Sequence, residues 1–325
     1  MATIRDIAQQ AGVTVTTVSR VLNNRGYIGE STRAKVMAAM EALDYKPNEV
    51  ARSLLRRRTN LLGLIVPDVA HPFFAELVSR IERHAHGSGY KVLLCNAQME
   101  PEKERGYIAM LRSHQVDGIL MGSHTLETGD YLRLGLPLVT LERQIDPSIP
   151  HVASDNAEGG RLAADRLLAA GCRHPACISG DRSLGMLSDA RYDAFLQAVT
   201  AAGCPCATLA LADDMTGRNP EDGRIALFLE AHPEIDGIFC GSDLIAWSVL
   251  RACGRMGLQV PDRVRIIGYD DSLAASLGPL QLTTIRQEVD AMAEACVSCL
   301  VAQIEGREAP MATVLPVSLI VRDTA

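Results

Sequence analysis

The pattern of hydrophobic and polar positions divides the chain into two parts with different periodicities. In the first 22 residues, apolar side chains recur at helical spacing over Ile4–Ala11 and again over Val15–Leu22. Gly12 suits the left-handed residue that ends the first helix, and Thr14 suits the N-cap of the second. Two short helices joined by a three-residue turn that contains glycine predict a helix-turn-helix.

An apolar stripe at helical spacing predicts a third helix over residues 30–43. The stripe consists of Val36, Met37, Met40 and Leu43. The helix ends before Pro47, because the residue that precedes a proline disfavours helix. We expect the stripe to close a small core whose other members are Ile7, Ala8, Val18, Val21 and Leu22. Residues 1–47 are therefore predicted to form a three-helix domain. In residues 48–60, Asn48 suits the N-cap of a further short helix, and the alternative is a basic linker.

This packing leaves Val15, Thr16, Ser19 and Arg20 on the outer face of the second helix. A helix in the major groove presents its early residues to base edges. There, Arg20 can donate two hydrogen bonds to guanine O6 and N7, Thr16 can bond a base edge, and Val15 can contact a thymine methyl. The alternative is a solvated helix in a three-helix domain of another kind.

From residue 61 onward, nearly continuous apolar runs alternate with amphipathic helical stretches. Such runs are typical of buried parallel strands, and repeated βα units predict parallel sheets with helices on both faces. The pattern includes a helix over residues 159–170, a strand over 208–212 and a last strand over 312–321. We expect an α/β body over 61–325 made of two doubly wound parallel-sheet subdomains with a cleft between them. The first subdomain would take about 61–158 and 287–318, and the second about 159–286 and 319–325.

Ligands of doubly wound sheets bind at the carboxyl ends of strands. In this chain those positions are Asp68, Phe73, Phe74, Glu142, Ser242, Asp243 and Asp270. Some of these residues have a structural alternative. Phe73 and Phe74 are alternatively core residues, Phe74 more readily than Phe73, and Asp270 or Asp271 alternatively caps the next helix.

The distribution of charge supports a division of labour between the two parts. The 325 residues are 47% hydrophobic and 4% aromatic, with a net charge of −7. Residues 1–60 hold ten Lys or Arg and five Asp or Glu, which gives +5 and leaves −12 for the remainder. A basic head on an acidic body matches a DNA-binding module attached to a sensor domain. The chain shows neither a membrane-span pattern nor a signal peptide, so we expect no membrane partner and a cytoplasmic location.

Catalytic and metal signatures are missing from the sequence. It contains no GxxxxGK[S/T] loop, no GxGxxG after a strand and no GxSxG elbow, so we assign no catalytic residue and no cofactor. Nine cysteines are scattered from Cys95 to Cys299. The pairs Cys204/Cys206 and Cys296/Cys299 leave redox or metal chemistry open, but neither has a second pair or clustered histidines, and we assign no metal site.

These residues resemble the lactose/galactose repressor (LacI/GalR) family of bacterial transcription regulators. The similarity covers essentially the whole chain. The head motifs are Thr3-Ile-Arg-Asp-Ile-Ala, Ala11-Gly-Val, Thr17-Val-Ser-Arg-Val-Leu-Asn23, Thr32-Arg, Tyr45-Lys-Pro-Asn48 and Val50-Ala-Arg-Ser-Leu54. The body motifs are His71-Pro-Phe-Phe74, Val116-Asp-Gly-Ile-Leu120, Asp155-Asn-Ala-Glu-Gly-Gly160, Ile267-Gly-Tyr-Asp-Asp271 and Leu282-Thr-Thr-Ile-Arg-Gln287.

The resemblance implies a homodimer on a pseudo-palindromic DNA operator and a body like periplasmic sugar-binding proteins. Base contacts fall on Val15, Thr16 and Arg20, and further DNA contacts on Thr14, Ser19, Asn23, Thr32, Tyr45, Asn48 and Ala51. The resemblance also implies that residues 48–54 form a hinge helix, from which Leu54 inserts into the minor groove and bends the duplex. Gly29 stands where many members have a serine N-cap, so a phosphate-binding hydroxyl is lost. No heptad tail follows, so we expect a dimer and no tetramer.

For the body, the resemblance implies a sugar or related small-molecule effector in the cleft. Carbohydrate sites combine carboxylates and amides with aromatic faces. Phe73 and Phe74 would supply faces, and Arg191 and Asp270 would bond the ligand, while Gln287 would sense closure at a crossover. Glu142 replaces a frequent aspartate, and Ser242 replaces a common asparagine. Trp247 lies inside a helix and is interpreted as a core or subunit-contact residue and not as a sugar platform.

The function expected from the resemblance is a ligand-responsive repressor of carbohydrate uptake or catabolism genes. A co-repressor-dependent regulator or an activator of the same family is the alternative, because sequence does not fix the sign of the response. A transport-type sugar-binding protein or an enzyme on an α/β scaffold agrees less well with the basic head.

Overall fold

The computed structural model describes residues 2–22, 26–45, 58–182, 185–211 and 222–325. The chain divides into two compact units, Met1–Thr59 and Asn60–Ala325, here called the head and the body. The helices described in the head are α1 Ile4–Ala11, α2 Val15–Leu22 and α3 Glu30–Ala42. Those described in the body are α4 Pro72–Gly87, α5 Pro101–Ser113, α6 Thr128–Leu132, α7 Asn156–Ala169, α8 Ala190–Ala201, α9 Asp222–Ala231, α10 Asp243–Met256 and α11 Val289–Ile304.

The body contains two six-stranded sheets, each with helices packed against it. The strands are β1 Leu61–Val66, β2 Lys91–Asn96, β3 Gly118–Met121, β4 Leu138–Leu141, β5 His151–Ser154, β6 Pro175–Ser179, β7 Ala207–Ala210, β8 Gly237–Cys240, β9 Arg265–Asp270, β10 Thr283–Gln287, β11 Ala312–Leu315 and β12 Val317–Ile320. The first sheet has the order β11-β5-β4-β3-β1-β2, and the second β12-β10-β9-β8-β6-β7.

Local capping explains where the head helices begin and end. Thr3 accepts a hydrogen bond from the Asp6 backbone N–H, and the Asp6 carboxylate accepts one from the Thr3 backbone N–H, which forms a capping box for α1. Gly12 ends α1 with φ of 63°, and the Thr14 hydroxyl accepts from the Thr17 N–H at 3.1 Å. The predicted helix-turn-helix is therefore confirmed.

A small apolar core holds α1, α2 and α3 together. It consists of Ile7, Ala8, Ala11, Val18, Val21, Val36 and Ala39, with Leu22, Met40 and Leu43 partly buried against it. Met37, which the apolar stripe placed in this core, is 54% exposed. Ala39 takes the inward position because Val36 and Ala39, at i and i+3, share one helical face.

The two sheets confirm the expected doubly wound architecture. Adjacent strands pair in parallel, for example Leu62 opposite Val92 in β1 and β2, and Ile238 opposite Ile266 in β8 and β9. The exception among the described pairs is β12, which runs antiparallel to β10. In the first sheet, side chains of α4 and α11 fill one face, including the fully buried Leu77.

The last predicted strand is wrong as a single element. Residues 312–321 form β11 and β12, which belong to different sheets, because Pro316 lies between them and has no N–H to donate to a ladder. The chain therefore crosses between the sheets at this point. It also crosses after β5 and after β10.

Two further boundaries and two short elements differ from the sequence prediction. The helix expected over 159–170 begins at Asn156, because Asp155 caps it by accepting from the Glu158 N–H at 2.9 Å. The short strand β5 and the short helix α6 were not predicted. The strand expected over 208–212 is β7, which ends at Ala210, and Ala212 is outside the described residues.

Candidate functional site

The second helix of the head presents the predicted base-contacting residues to solvent. Val15 is 43% exposed, and Thr16 and Arg20 are exposed as well. Ser19 and Thr32 are half-buried, and the Tyr45 side chain packs against the head core. Thr14 is exposed, and the last four predicted DNA contacts, Asn23, Asn48, Ala51 and Leu54, lie outside the described residues.

Gly29 is the N-cap of α3 and makes no side-chain capping hydrogen bond. Its backbone is extended, with φ of −60° and ψ of 144°, which is a geometry that serine also adopts at N-caps. The missing hydroxyl therefore follows from the residue type and not from an unusual backbone.

A hydrogen-bonded group of side chains joins the carboxyl ends of the strands where the two sheets meet. We call it the polar cluster, and its members are Glu142, Ser154, Asn156, Arg191, Tyr269, Asp270 and Gln287. Four of the predicted ligand residues belong to it, namely Glu142, Arg191, Asp270 and Gln287. The position agrees with the rule that ligands of doubly wound sheets bind at strand carboxyl ends.

Glu142 follows β4 and is held by the next strand and the helix after it. Its Oε1 accepts from the Ser154 N–H, and its Oε2 accepts from Asn156 Nδ2, both at 2.7 Å. The Glu142 carbonyl accepts from the Leu187 N–H at 2.8 Å, which links the first sheet to the segment that precedes α8. Glu142 has φ of 54°, a left-handed conformation that is uncommon for a residue other than glycine.

Arg191 lies in the first turn of α8 and is only 5% exposed. Its Nε and Nη2 donate to Asn156 Oδ1 at 2.9 and 2.5 Å, and its Nη1 donates to the Gly241 carbonyl at 2.9 Å. The guanidinium carbon lies 3.5 Å from the centroid of the Tyr269 ring, a cation–π contact. Arg191 is thus held from three sides by protein groups.

Asp270 ends β9 and is connected to the first crossing between the sheets. Its Oδ1 accepts from Gln287 Nε2 at 2.7 Å, and Gln287 Oε1 accepts from the Ser154 hydroxyl at 2.6 Å. Burial, and then the nearby Asp243 carboxylate, raises the pKa of Asp270 well above its ordinary value. With φ of 116°, Asp270 also carries backbone strain, which is concentrated at functional sites in many proteins.

Two glycines of the motif that begins α7 permit this packing. A Cβ on Gly159 would lie 2.5 Å from the Tyr269 hydroxyl oxygen, and a Cβ on Gly160 would lie 2.0 Å from the Arg191 carbonyl oxygen. The Asn-Ala-Glu-Gly-Gly sequence therefore lets β9 and α8 approach α7 closely enough for Asn156 to contact Arg191 and Tyr269.

Ser242 and Asp243 follow β8, but their side chains bond to protein groups. The Ser242 hydroxyl accepts from the Ile245 N–H at 3.2 Å and so caps α10. The carboxylate of Asp243, 1% exposed, accepts from the Thr284 hydroxyl at 2.6 Å and from the N–H and hydroxyl of Ser272 at 2.8 and 2.9 Å. Burial raises the pKa of Asp243 to about 7.

The alternative that Asp270 or Asp271 caps the next helix is not what the structure shows. Asp271 forms ion pairs with Arg286 at 2.7 Å and Arg322 at 2.5 Å. The Trp247 indole N–H donates to the Ala274 carbonyl at 3.2 Å, and the ring is half-buried, which fits its structural interpretation.

Asp68 and the two phenylalanines lie at the carboxyl end of β1. Phe73 is 7% exposed and belongs to the core of the first sheet, whereas Phe74 is half-buried. The order expected from sequence, with Phe74 the more readily buried, is wrong. Asp68 Oδ1 accepts from the Ala70 N–H at 2.8 Å, and the Phe74 ring lies edge-on to His71 at 5.7 Å.

Two histidines near these strand ends are buried and neutral. Burial lowers the pKa of His71 to about 4 and that of His124 to about 3. His124 Nε2 lies 2.8 Å from the Leu141 carbonyl oxygen, and the Nδ1 atoms of both rings are buried without a hydrogen-bond partner. These rings therefore add no positive charge at neutral pH.

Sequence reasoning missed three members of the polar cluster, Ser154, Asn156 and Tyr269. Asn156 and Tyr269 each lie within a motif that carried the resemblance, but no role was assigned to them. The signal for Asn156 was the glycine pair that follows it, since two adjacent glycines in a helix indicate a close approach of other elements.

Other features of the described residues bear on what the chain does. The segments that the structure describes contain no helix long and apolar enough to cross a membrane. Within the same segments, no group of three or more His, Cys, Asp or Glu could hold a metal ion. Cys296 is fully buried, and burial raises the pKa of its thiol.

Comparison with known proteins accounts for both units. Residues 3–48 match the family described as bacterial regulatory proteins, lacI family, and residues 143–325 match a periplasmic binding protein-like domain. The sucrose operon repressor of Streptococcus mutans is 38% identical over 320 residues, which cover 98% of each chain. The chain belongs to the LacI family.

Solved structures with a similar architecture include a repressor and a transcriptional regulator. The lac repressor dimer bound to operator and the anti-inducer ONPF matches with a TM-score of 0.86 and 25% identity, covering 99% of this chain and 98% of that one. The transcriptional regulator CelR in complex with cellobiose matches with a TM-score of 0.72 and 28% identity over the full length of both chains. This LacI-family chain is thus a DNA-binding transcriptional regulator with a two-sheet sensor body.

Proposed function

We propose that this LacI-family chain is a repressor of carbohydrate uptake or catabolism genes, and that an uncharged sugar bound at the polar cluster changes its affinity for operator DNA. The observation that supports this most directly is the polar cluster itself. It places carboxylate, amide, hydroxyl and guanidinium groups at the crossings between two sheets. A change in the angle between the sheets would therefore change the contacts that these groups make with a ligand.

The charges around the cluster favour an uncharged ligand over a phosphorylated one. Asp68, Glu142 and Asp270 are acids at strand carboxyl ends, while His71 and His124 are neutral because burial lowers the pKa of both rings. The Arg191 guanidinium is engaged with the Asn156 amide and the Gly241 carbonyl. A phosphate dianion would meet the Glu142 carboxylate here, whereas sugar hydroxyls can donate to carboxylates.

The proposed division of labour assigns operator binding to residues 1–47, a hinge to 48–60 and the effector site to 61–325. The relatives named as sugar operon repressors and the dimeric lac repressor bound to operator support the same function for this chain, as a homodimer on a pseudo-palindromic operator. Such a protein works where the DNA is, in the cytoplasm, and needs no catalytic step.

Thermal unfolding in the presence of uncharged and phosphorylated sugars tests the proposal. The panel is sucrose, D-glucose, D-fructose, D-ribose and cellobiose, together with glucose 6-phosphate and fructose 1-phosphate. At least one uncharged sugar should raise the unfolding midpoint of the native chain, and neither sugar phosphate should raise it. Asp270→Asn should abolish the shift, whereas Gln259→Glu, on an exposed loop at the amino end of β9, should keep it. A shift given by sugar phosphates alone would refute the uncharged class, and no shift with any compound would refute the sugar effector.

A further inference from the structure

Asn156 is the residue through which most of the polar cluster is connected. It begins α7 directly after the first crossing between the sheets and is 3% exposed. Its Nδ2 donates to Glu142 Oε2 at 2.7 Å and to the Ser154 carbonyl at 3.1 Å. Its Oδ1 accepts from Arg191 Nε and Nη2, and from the Tyr269 hydroxyl at 3.3 Å. Every hydrogen-bonding position of this buried amide is therefore used.

The orientation of this amide matches the charges on either side of it. The N–H group faces the Glu142 carboxylate on the first sheet, and the carbonyl oxygen faces the Arg191 guanidinium on α8. An acid and a base so close in a buried site attract each other strongly and would otherwise form a direct ion pair. With the amide between them, each charge is neutralised locally while the two groups remain on separate elements.

We propose that Asn156 is a positioning residue of the effector site, a neutral spacer that holds Glu142 and Arg191 apart and oriented for a ligand. The inference rests on the proposed effector function, which it deepens. Removing the spacer lets the guanidinium move onto the carboxylate, which closes the space between the two subdomains. Gly159 and Gly160 support this role, because they allow Tyr269 and α8 to reach the amide.

The substitution Asn156→Asp tests the spacer without changing the size of the side chain. It places a carboxylate oxygen where Nδ2 lies 2.7 Å from Glu142 Oε2. Two carboxylate oxygens at that distance must share a proton, so the folded variant binds a proton that the unfolded chain releases. Its stability relative to the native chain is then greatest at low pH and is lost as pH rises.

The first measurement needs no ligand. Thermal unfolding midpoints of the native chain, Asn156→Asp and Gln259→Glu are recorded from pH 5.5 to pH 8. Gln259→Glu is the matched control, because it makes the same amide-to-carboxylate change on an exposed loop at the opposite end of β9. The unfolding midpoint of Asn156→Asp should lie below that of the native chain, and this deficit should shrink as pH falls. Gln259→Glu should show no such trend. A deficit that is constant across this range would overturn the spacer, because the new carboxylate would then not lie against Glu142.

The second measurement uses the panel sugar that shifts the native chain most, titrated at pH 8 and pH 5.5. Asn156→Asp should bind it at least tenfold more weakly at pH 8, and the difference should narrow at pH 5.5. Binding within twofold of the native chain at pH 8 would overturn the positioning role. If no sugar shifts the native chain, the proposed effector function fails, while the ligand-free titration still decides whether Asn156 separates the two charges.

The double variant Glu142→Gln with Asn156→Asp keeps one amide and one carboxylate but exchanges their places. It leaves no pair of carboxylates to share a proton, so its deficit in unfolding midpoint should depend on pH less than that of Asn156→Asp. The pH dependence that remains comes from His151 and Asp270, whose pKa values the Glu142 charge raises. A double variant with the same pH dependence as Asn156→Asp would assign the proton to another group and overturn the inference. The double variant also keeps the test possible when Asn156→Asp alone does not fold at pH 8.

Discussion

The close approach of α8 to α7 gives the sharpest test of how the body is assembled. Gly160 is a helical glycine, and a Cβ at this position would lie 2.0 Å from the Arg191 carbonyl oxygen, 2.8 Å from its carbon and 3.0 Å from the Phe195 nitrogen. Ordinary contact begins at 3.4 Å, so Gly160→Ala requires a relative shift of about 1.4 Å, the difference between 3.4 and 2.0. All three atoms belong to backbone, which cannot rotate away as a side chain can.

The expected magnitude follows from two opposing terms. Overpacking costs about 1–3 kcal/mol, and a rigid backbone contact belongs at the upper end of that range. In a helix interior, alanine is more stabilising than glycine by about 1 kcal/mol. The net loss is about 2 kcal/mol, which lowers the unfolding midpoint of a domain of this size by about 4–8 °C.

Gly254 provides the matched control. It also lies in a helix, α10, and a Cβ at this position would have no atom within 4 Å. Gly254→Ala should raise the midpoint of the body by about 2–4 °C from the helix propensity of alanine alone. Both variants are compared with the native chain by circular dichroism during heating. A Gly160→Ala midpoint equal to or above the native value would refute the reasoning, because α7 and α8 would then have room that the structure denies.

Three other predictions concern the head and the buried acids. Thr14→Ala removes the hydroxyl that caps α2 and should destabilise this helix by about 1 kcal/mol. Amide hydrogen exchange in α2 of the full chain should then be roughly fivefold faster, and unchanged exchange would show that the cap does not stabilise the helix. Arg20→Ala should weaken operator binding by about 1–3 kcal/mol at fixed salt and relax the preference at one base pair, whereas an equal loss for every sequence would make Arg20 a phosphate contact. Because the pKa of Asp243 is raised from its ordinary 3.8 to about 7, and that of Asp270 is raised too, the stability they contribute is present at low pH and is lost as pH rises. The unfolding midpoint should therefore decrease as pH rises from 5 to 8, and it should decrease less steeply in Asp270→Asn. An identical slope in that variant would exclude Asp270 as a source of the pH dependence.

The fold was largely predictable, because periodicity and strand-end position are properties of the local sequence. The helix-turn-helix followed from Gly12 and Thr14, and Glu142 and Asp270 were found because they directly follow buried apolar strands. The division of residues 312–321 into two strands was missed, since an apolar run does not reveal that its halves pair with different sheets. Pro316 was the local signal, and it was overlooked.

The connections within the polar cluster were less predictable, because they depend on which side chains meet after folding. Nothing in the order of residues shows that Asn156 faces Arg191 on one side and Glu142 on the other. The relative burial of Phe73 and Phe74 has the same origin. Adjacent residues on a helix point in directions about 100° apart, and only the position of the sheet decides which one is buried.

The central claim is that sugar binding in the body changes operator binding by the head. Fluorescence anisotropy of an operator duplex, selected from a random pool with the native chain, measures this at fixed salt with and without the sugar found by thermal unfolding. We predict that the saturating sugar weakens operator binding by about 5–150-fold, and that operator weakens sugar binding by the same factor, since coupling is reciprocal. In Asp270→Asn, operator binding should be unchanged and insensitive to the sugar. An operator affinity that stays constant while the sugar saturates the native chain would contradict the account.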